Sequence, residues 1–255
     1  MQQKTIVSLC TDFGLDDYRV ALMKSELLKH SPQIQLLDIT HNVQAFDLVE
    51  AAFHVSNTLH NFQAKQIHIT WVLNASEDQG ILLALYNEQY LILPNNGLLE
   101  LITFSEPAEI IYRISDDAIE YKERISKAVY NICNGENLGE IYTLLEDPVK
   151  KISVQPVYQK ERIQARILNL DRYGNLIFNI RREPFVNISQ GRKFSFSTQN
   201  QQVISNFILD QLEIENGSFY VYFTEAGFLV LALCGANAGK VLDLKKDDTL
   251  QIVFE

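Results

Sequence analysis

Several chemistry-bearing residues stand directly after short apolar runs. Asp12 follows Thr5-Ile6-Val7-Ser8-Leu9-Cys10, and Gly14 then permits a tight turn into a helix. A carboxylate in that place can accept two hydrogen bonds from a ribose diol. Asp16 and Asp17 come next, in a first helical turn where the macrodipole favours negative charge; they read either as helix-start acids or as ligand contacts. Asp38-Ile39-Thr40-His41 closes a second run in the same way. His41 there is a site residue or a turn histidine bonded to backbone. Pro94-Asn95-Asn96-Gly97 ends another run. Its two amides can read a polar ligand edge, or serve the turn for backbone reasons alone. His30, His54, His60 and His68 show no partner pattern. Cys10, Cys133 and Cys234 are far apart in apolar segments and read as buried reduced thiols. No cysteine pair has metal-ligand spacing, so no metal is expected. Neither common glycine-rich phosphate loop is present, which suits a ligand without phosphates.

The elements that must position these residues change character along the chain. The first half alternates strand and helix patterns. Strands are expected at Thr5–Cys10, Gln35–Ile39, Ile67–Leu73, Ile81–Tyr86, Tyr90–Leu93 and Ala108–Ile114. A helix is expected from near Leu15, with Val20, Met23 and Leu27 on one face and Pro32 as its stop. A second carries Leu48, Ala52, Val55 and Leu59, and a third spans Glu123–Cys133. The last hundred or so residues instead show short strand-like runs split by turn signals such as Tyr173-Gly174-Asn175, with no helix of length. The fold class is therefore α/β: an N-terminal, mostly parallel sheet with flanking helices, then a smaller C-terminal antiparallel β-barrel-like domain. The boundary falls in the Pro-bracketed stretch near Lys151–Pro156, giving domains 1–152 and 153–255.

The chain has 255 residues and a formal net charge of −10. Nucleic-acid binding needs clustered Lys and Arg, and no basic stripe is present; Arg181-Arg182 with Arg192-Lys193 reads as a solvated surface. No apolar stretch approaches the ~20 residues of a membrane span. The first residues carry no secretory pattern, and the expected compartment is the cytoplasm.

Taken in order, the strand-end motifs resemble one family. Thr11-Asp12-Phe13-Gly14 with Asp17-Tyr18 and Lys24 resembles the opening of the S-adenosylmethionine (SAM) hydroxide adenosyltransferases, relatives of the SAM-dependent fluorinating and chlorinating enzymes. The resemblance continues through Asp38-Ile39-Thr40-His41, Phe46-Asp47, Leu93-Pro94-Asn95-Asn96-Gly97-Leu98 and Asp171-Arg172-Tyr173-Gly174-Asn175. It runs on through Gly227-Phe228-Leu229 and ends with Ala232-Leu233-Cys234-Gly235-Ala236-Asn237-Ala238. It implies a homotrimer with each site between the N-terminal domain of one subunit and the C-terminal domain of its neighbour. It implies an adenosyl ligand, SAM as substrate or ligand, and no further cofactor. By matching position, Asp12 holds the ribose hydroxyls, Asp17 the methionine end, and Phe46 lines the ribose side. Asn96 belongs to the same substrate-binding set. Asp171 meets the methionine amino group, Asn175 the adenine, Phe207 stacks on adenine across a gap in the match, and the backbone at Gly235 meets the adenine edge.

The implied reaction is substitution at the ribose 5′ carbon, giving adenosine and methionine. The family activates water with a linked Asp, Arg and His, and here the sequence departs. Leu73 stands where the Asp belongs, Asn74 replaces a Pro, and no arginine follows between Ala75 and Gly80. Ile119-Glu120-Tyr121-Lys122-Glu123-Arg124 occupies the segment of the His, without one. Asn95 replaces an Asp, and Glu225 a small polar residue. The halogenating relatives' Tyr-Pro-x-Thr stretch is absent too. General-base assistance is worth about 10²–10⁴-fold, so turnover is expected to be weak or to use substitutes such as Glu77 or Asp78. The rival reading is a catalytically inactive nucleoside-binding or structural homotrimer.

Overall fold

The computed structural model describes residues 4–73, 80–104, 106–115, 119–151, 155–198, 203–205, 207–208 and 214–255. The chain divides into two compact units, Met1–Ile152 and Ser153–Glu255.

The first unit contains β1 (Ile6–Thr11), α1 (Arg19–His30), β2 (Gln35–Thr40), α2 (Leu48–Leu59), β3 (Ile67–Trp71), β4 (Ile81–Tyr86), β5 (Gln89–Pro94), α3 (Leu98–Thr103), β6 (Ile110–Ile114), α4 (Tyr121–Cys133), α5 (Leu138–Ile141) and β7 (Thr143–Leu144). One sheet runs in the order β2-β1-β3-β5-β4-β6-β7. Its β2, β1, β3 and β5 are parallel, whereas β4, β6 and β7 pair antiparallel. The α/β class stands, with a mixed sheet in place of a mostly parallel one. The cause is local. Asn87 and Glu88 join β4 to β5 with φ of 49° and 59°, the left-handed pair of a two-residue hairpin turn. So short a link can only return the chain antiparallel.

Alternation along the strands fills both faces. Val7, Leu9, Ile67, Ile69 and Trp71 pack with Met23 and Leu27 of α1 and Ile125 and Val129 of α4. The opposite face packs Cys10, Val72, Leu91 and Leu93 against Val55 and Leu59 of α2 and Leu99 and Ile102 of α3. α1 starts at Arg19, four positions later than Leu15, because the Asp17 carboxylate accepts the Arg19 amide at 2.8 Å and holds the preceding residues in a turn. Burial lifts the Cys10 thiol to about 12, with Glu50 and Asp12 adding to the rise, so it is inert at neutral pH.

A buried polar chain crosses the first sheet. Ser8 Oγ lies 2.7 Å from His68 Nδ1, and His68 Nε2 lies 2.8 Å from Gln89 Oε1. The Gln89 amide nitrogen donates to Leu59 O and Phe62 O. Its oxygen must therefore accept, so His68 carries its proton on Nε2 and takes the Ser8 hydroxyl at Nδ1. Burial pushes the His68 pKa down from 6.5 to about 4, against a smaller upward pull from Gln89. The unfolded chain takes up a proton near pH 6.5 and the folded chain only near 4. Stability is therefore whole above pH 6.5 and falls as pH drops toward 4, by about 3 kcal/mol for this group. Urea midpoints measured across pH 7 to 4 should show this acid loss, and His68→Gln should flatten it.

The second unit contains β8 (Val157–Gln159), β9 (Arg162–Leu170), β10 (Leu176–Arg181), α6 (Arg182–Ser189), β11 (Phe194–Thr198), β12 (Val203–Ile204), β13 (Phe207–Ile208), β14 (Phe219–Phe223), β15 (Phe228–Leu233), α7 (Ala238–Leu242) and β16 (Thr249–Phe254). Its sheet runs β12-β11-β16-β9-β10-β15-β14-β13, with β8 beside β9. Pairing is antiparallel except at β13–β14. β12 and β13, neighbours along the chain, lie one on each edge of the sheet. Two residues link them, a reach of at most about 11 Å, so the sheet must curl until its edges nearly meet. Inside the curl lie Ile163, Ile167, Phe178, Phe196, Leu231 and Ile252. Helices α6 and α7 were not expected. α6 has Pro184 in its first turn, Phe185 and Ser189 on its buried face, and a left-handed Gln190 at its end. Among the described residues no helix is long and apolar enough to cross a membrane.

Candidate ligand site

Strand order decides which loops meet. β1 pairs with β2 on one side and β3 on the other, and β5 follows β3, all parallel. The carboxyl ends of these strands therefore line one edge, and the order reverses at β1, where open α/β sheets bind ligands. Asp12, His41, Leu73 and Asn95-Asn96 all fall on that edge.

The loops after β1 and β2 are stitched together. Gly14 N donates to His41 O at 2.7 Å and Val43 N to Thr11 O at 3.4 Å. Phe46 N donates to Asp12 Oδ2 at 3.0 Å. Among the described residues no donor reaches the other Asp12 oxygen. Phe46 sits at φ 68°, in the left-handed region, which for a bulky residue stores about 1–3 kcal/mol of strain. Phe46 is 64% exposed. A polar chain supports the pair from below. His41, 3% exposed, places Nδ1 2.8 Å from Thr11 Oγ1 and Nε2 3.2 Å from Asp38 Oδ1. Lys24 Nζ lies 2.6 Å from Asp38 Oδ2. Burial raises the Asp38 pKa, but hydrogen bonds from Lys24 and His41 outweigh it and hold the carboxyl below its usual value.

The other predicted residues of this unit are committed locally. Asp17 accepts the Arg19 amide and pairs with its guanidinium at 2.7 Å. Asn96 is buried; its Nδ2 donates to Val72 O at 2.9 Å and its Oδ1 accepts from Leu98 N at 3.3 Å. Asn95 Oδ1 accepts from Val149 N at 2.8 Å. Both asparagines thus hold the ends of β3 and β5. Leu73 is 46% exposed at the tip of β3. Trp71 stacks on Tyr121 with centroids 4.6 Å apart and planes 8° off parallel. Burial raises the Tyr121 pKa, partly countered by Lys122 and Arg19. A neutral phenol is therefore the group offered at the segment where the family carries its histidine. Residues 74–79, Glu77 and Asp78 among them, lie outside the described residues.

In the second unit Asp171 folds its own loop. Its Oδ1 accepts from Tyr173 N and Asn175 N, both at 2.9 Å, and its Oδ2 accepts from Asn175 Nδ2 at 2.7 Å. Gly174, at φ +83°, packs so closely that a Cβ would stand 2.0 Å from Asn237 Cγ. Asn237 caps α7 through Lys240 N at 2.8 Å, and Gly239 N donates to Gly174 O at 3.0 Å. This fit packs the Asp171–Asn175 loop against Asn237, two residues past Gly235, itself at φ 73°. Tyr220 and Tyr222 stack next to the loop, centroids 5.8 Å apart. Burial, with Asp171 and Tyr220, lifts the Tyr222 pKa to about 12, while a hydrogen bond with Asn175 opposes the rise. Phe207 lies in β13, opposite Phe219; its side chain lies outside the described residues. A cavity of about 640 Å³ opens beside α6, at the other end of β10, walled largely by the core side chains Phe185, Phe194, Val221 and Leu229.

Sequence reasoning missed the Trp71–Tyr121 stack and the Gly174–Asn237 fit. Neither has a spacing signal, since each joins residues distant along the chain.

The chain is thus a two-unit α/β protein, with a carboxylate at the strand-order reversal of its first sheet and an Asp-Asn loop on the curled β unit that follows. Residues 7–132 match the family model of the SAM hydroxide adenosyltransferase N-terminal domain, and residues 165–251 that of its C-terminal domain. The chain belongs to the SAM hydroxide adenosyltransferase family. It is similar to the (R)-S-adenosyl-L-methionine hydrolase of Methanocaldococcus jannaschii, 22% identical over 98% of this chain and 96% of that one. It is also similar to the hydrolase of that name from Thermus thermophilus, 23% identical over 94% and 96%. The fold matches the crystal structure of an uncharacterized conserved protein from Thermotoga maritima, with a TM-score of 0.85 and 20% identity over 97% of this chain and 99% of that one. It also matches that of a conserved hypothetical protein from Thermus thermophilus, with a TM-score of 0.77 and 19% identity over 98% and 100%.

Proposed function

We propose that this protein binds SAM or a close adenosyl relative and hydrolyses SAM slowly to adenosine and methionine. The observation that carries this is Asp12: one oxygen is fixed by Phe46 N, and among the described residues no donor reaches the other, at the edge where the parallel strands end. A fixed carboxylate there suits a ribose diol. The net charge of −10 favours a cationic sulfonium over a phosphorylated nucleotide. In the reaction, water attacks the 5′ carbon as the carbon–sulfur bond breaks. The bond's electron pair stays on sulfur, which leaves as a neutral thioether, and the water's proton passes to solvent. The leaving group needs no acid, so the protein's task is to align water with the sulfur and exclude bulk solvent. The homotrimer belongs to this proposal. Leu15, Tyr18, Phe46 and Leu73 expose large apolar side chains around the strand ends, a rim that a neighbouring subunit's β unit would cover.

A second reading, a nucleoside binder without turnover, is favoured by Leu73 and by Tyr121 stacked on Trp71. Neither side chain can take a proton from water at neutral pH. Titration calorimetry with SAM and adenosine, followed by chromatography for released adenosine, separates the two. Binding with adenosine release supports the hydrolase, binding alone supports the sensor, and no binding of either removes both.

A further inference from the structure

The geometry points to His41 as the positioning residue that sets the Asp12 carboxylate in place for a ribose. This rests on the adenosyl-binding reading above. The chain on both sides of Asp12 is tied to this one histidine, on one side through its ring and on the other through its carbonyl. The Thr11 hydroxyl meets its Nδ1 at 2.8 Å, and Gly14 N donates to its carbonyl at 2.7 Å. Phe13 N reaches the same Thr11 oxygen at 3.4 Å. Asp12 itself accepts Phe46 N from the loop that His41 begins.

The Asp38 carboxylate and the Thr11 hydroxyl set the protons of the cluster. The Asp38 carboxylate only accepts, so His41 carries its hydrogen on Nε2, 3.2 Å from Asp38 Oδ1. Nδ1 then accepts from the Thr11 hydroxyl, leaving that oxygen's lone pairs for Phe13 N. Lys24 of α1 anchors the far side of Asp38 at 2.6 Å. The imidazole is thus wedged between the ends of β1 and β2, hydrogen-bonded through Nδ1 to Thr11, with Nε2 buried close to the Asp38 carboxylate but short of hydrogen-bond geometry. At 3% exposed it is shut off from a ligand and acts through the loop it holds.

The test uses the full-length protein. Hydrogen exchange is read at the Gly14 and Phe46 amides without ligand, and adenosine affinity by calorimetry. His41→Ala should speed exchange at both amides at least tenfold and weaken adenosine binding by about 10–100-fold, since a misplacement of 1 Å can cost that much. His41→Asn, which offers Thr11 an acceptor near the Nδ1 position, should restore most of both. Thr11→Val removes only the hydroxyl and should move both readouts the same way by about 3–10-fold, which keeps the test open if His41→Ala fails to fold. Unchanged exchange at Phe46 in a folded variant overturns the inference. So does faster exchange with wild-type adenosine affinity. If the wild type binds no adenosine, the ligand reading falls instead, and exchange at Phe46 still decides whether His41 holds Asp12.

Discussion

Asp12→Ala is expected to abolish adenosine binding while leaving the circular dichroism spectrum and the sedimentation behaviour of the wild type unchanged. A ribose diol on a carboxylate makes two charge-assisted hydrogen bonds, each worth about 1.5–3 kcal/mol. Losing both weakens affinity by about 10²–10⁴-fold. The structural cost is small. Asp12 supports one backbone donor, Phe46 N, in an exposed loop where water can replace it, so about 1 kcal/mol of stability is at stake. Asp12→Asn keeps an acceptor for Phe46 N but loses the charge, and should fall between. Calorimetry on the three proteins settles it: an alanine variant within threefold of wild type means the ribose is held elsewhere or not at all.

The second large effect is expected at Gly174. Gly174→Ala meets two obstacles at once. The backbone is at φ +83°, and the new Cβ would lie 2.0 Å from Asn237 Cγ. Asn237 must then leave its place, and with it the cap on Lys240 N. Overpacking and a lost cap together cost about 2–4 kcal/mol, or about 5–12 °C in Tm for a chain of this size. Adenosine affinity should fall with it, because the loop that strains carries Asp171 and Asn175. Gly191→Ala is the control. Its φ is +75°, yet nothing lies within 4 Å of the new Cβ, so only the backbone term of about 1 kcal/mol remains. Equal melting temperatures for the two variants would show that the Asn237 contact carries nothing.

How much of this was legible in the sequence follows from the range of the forces involved. Apolar periodicity is a local property, and it placed Ile81–Tyr86 at its observed bounds. It also picked out the buried face of α2 through Leu48, Ala52, Val55 and Leu59. The mixed character of the first sheet was harder to see. It hangs on the Asn87-Glu88 turn, which lacks the glycine that usually announces a tight hairpin. Helix α6 is bracketed by Pro184 and Gly191, but at 8 residues its periodicity is too short to stand out.

The ordered motifs determined the family, because residue types at strand ends are written in the chain itself. They also marked Asp12 as a carboxylate with a site to serve. Tertiary structure alone decided how each side chain is used. Asp17 turns to Arg19, Asn96 to the end of β3, and His41 to the Thr11 hydroxyl beside Asp12. Hydrogen bonds act over about 3 Å, and parallel pairing brings residue 11 beside 41 only after the intervening helix has packed. No spacing rule along the chain encodes that meeting.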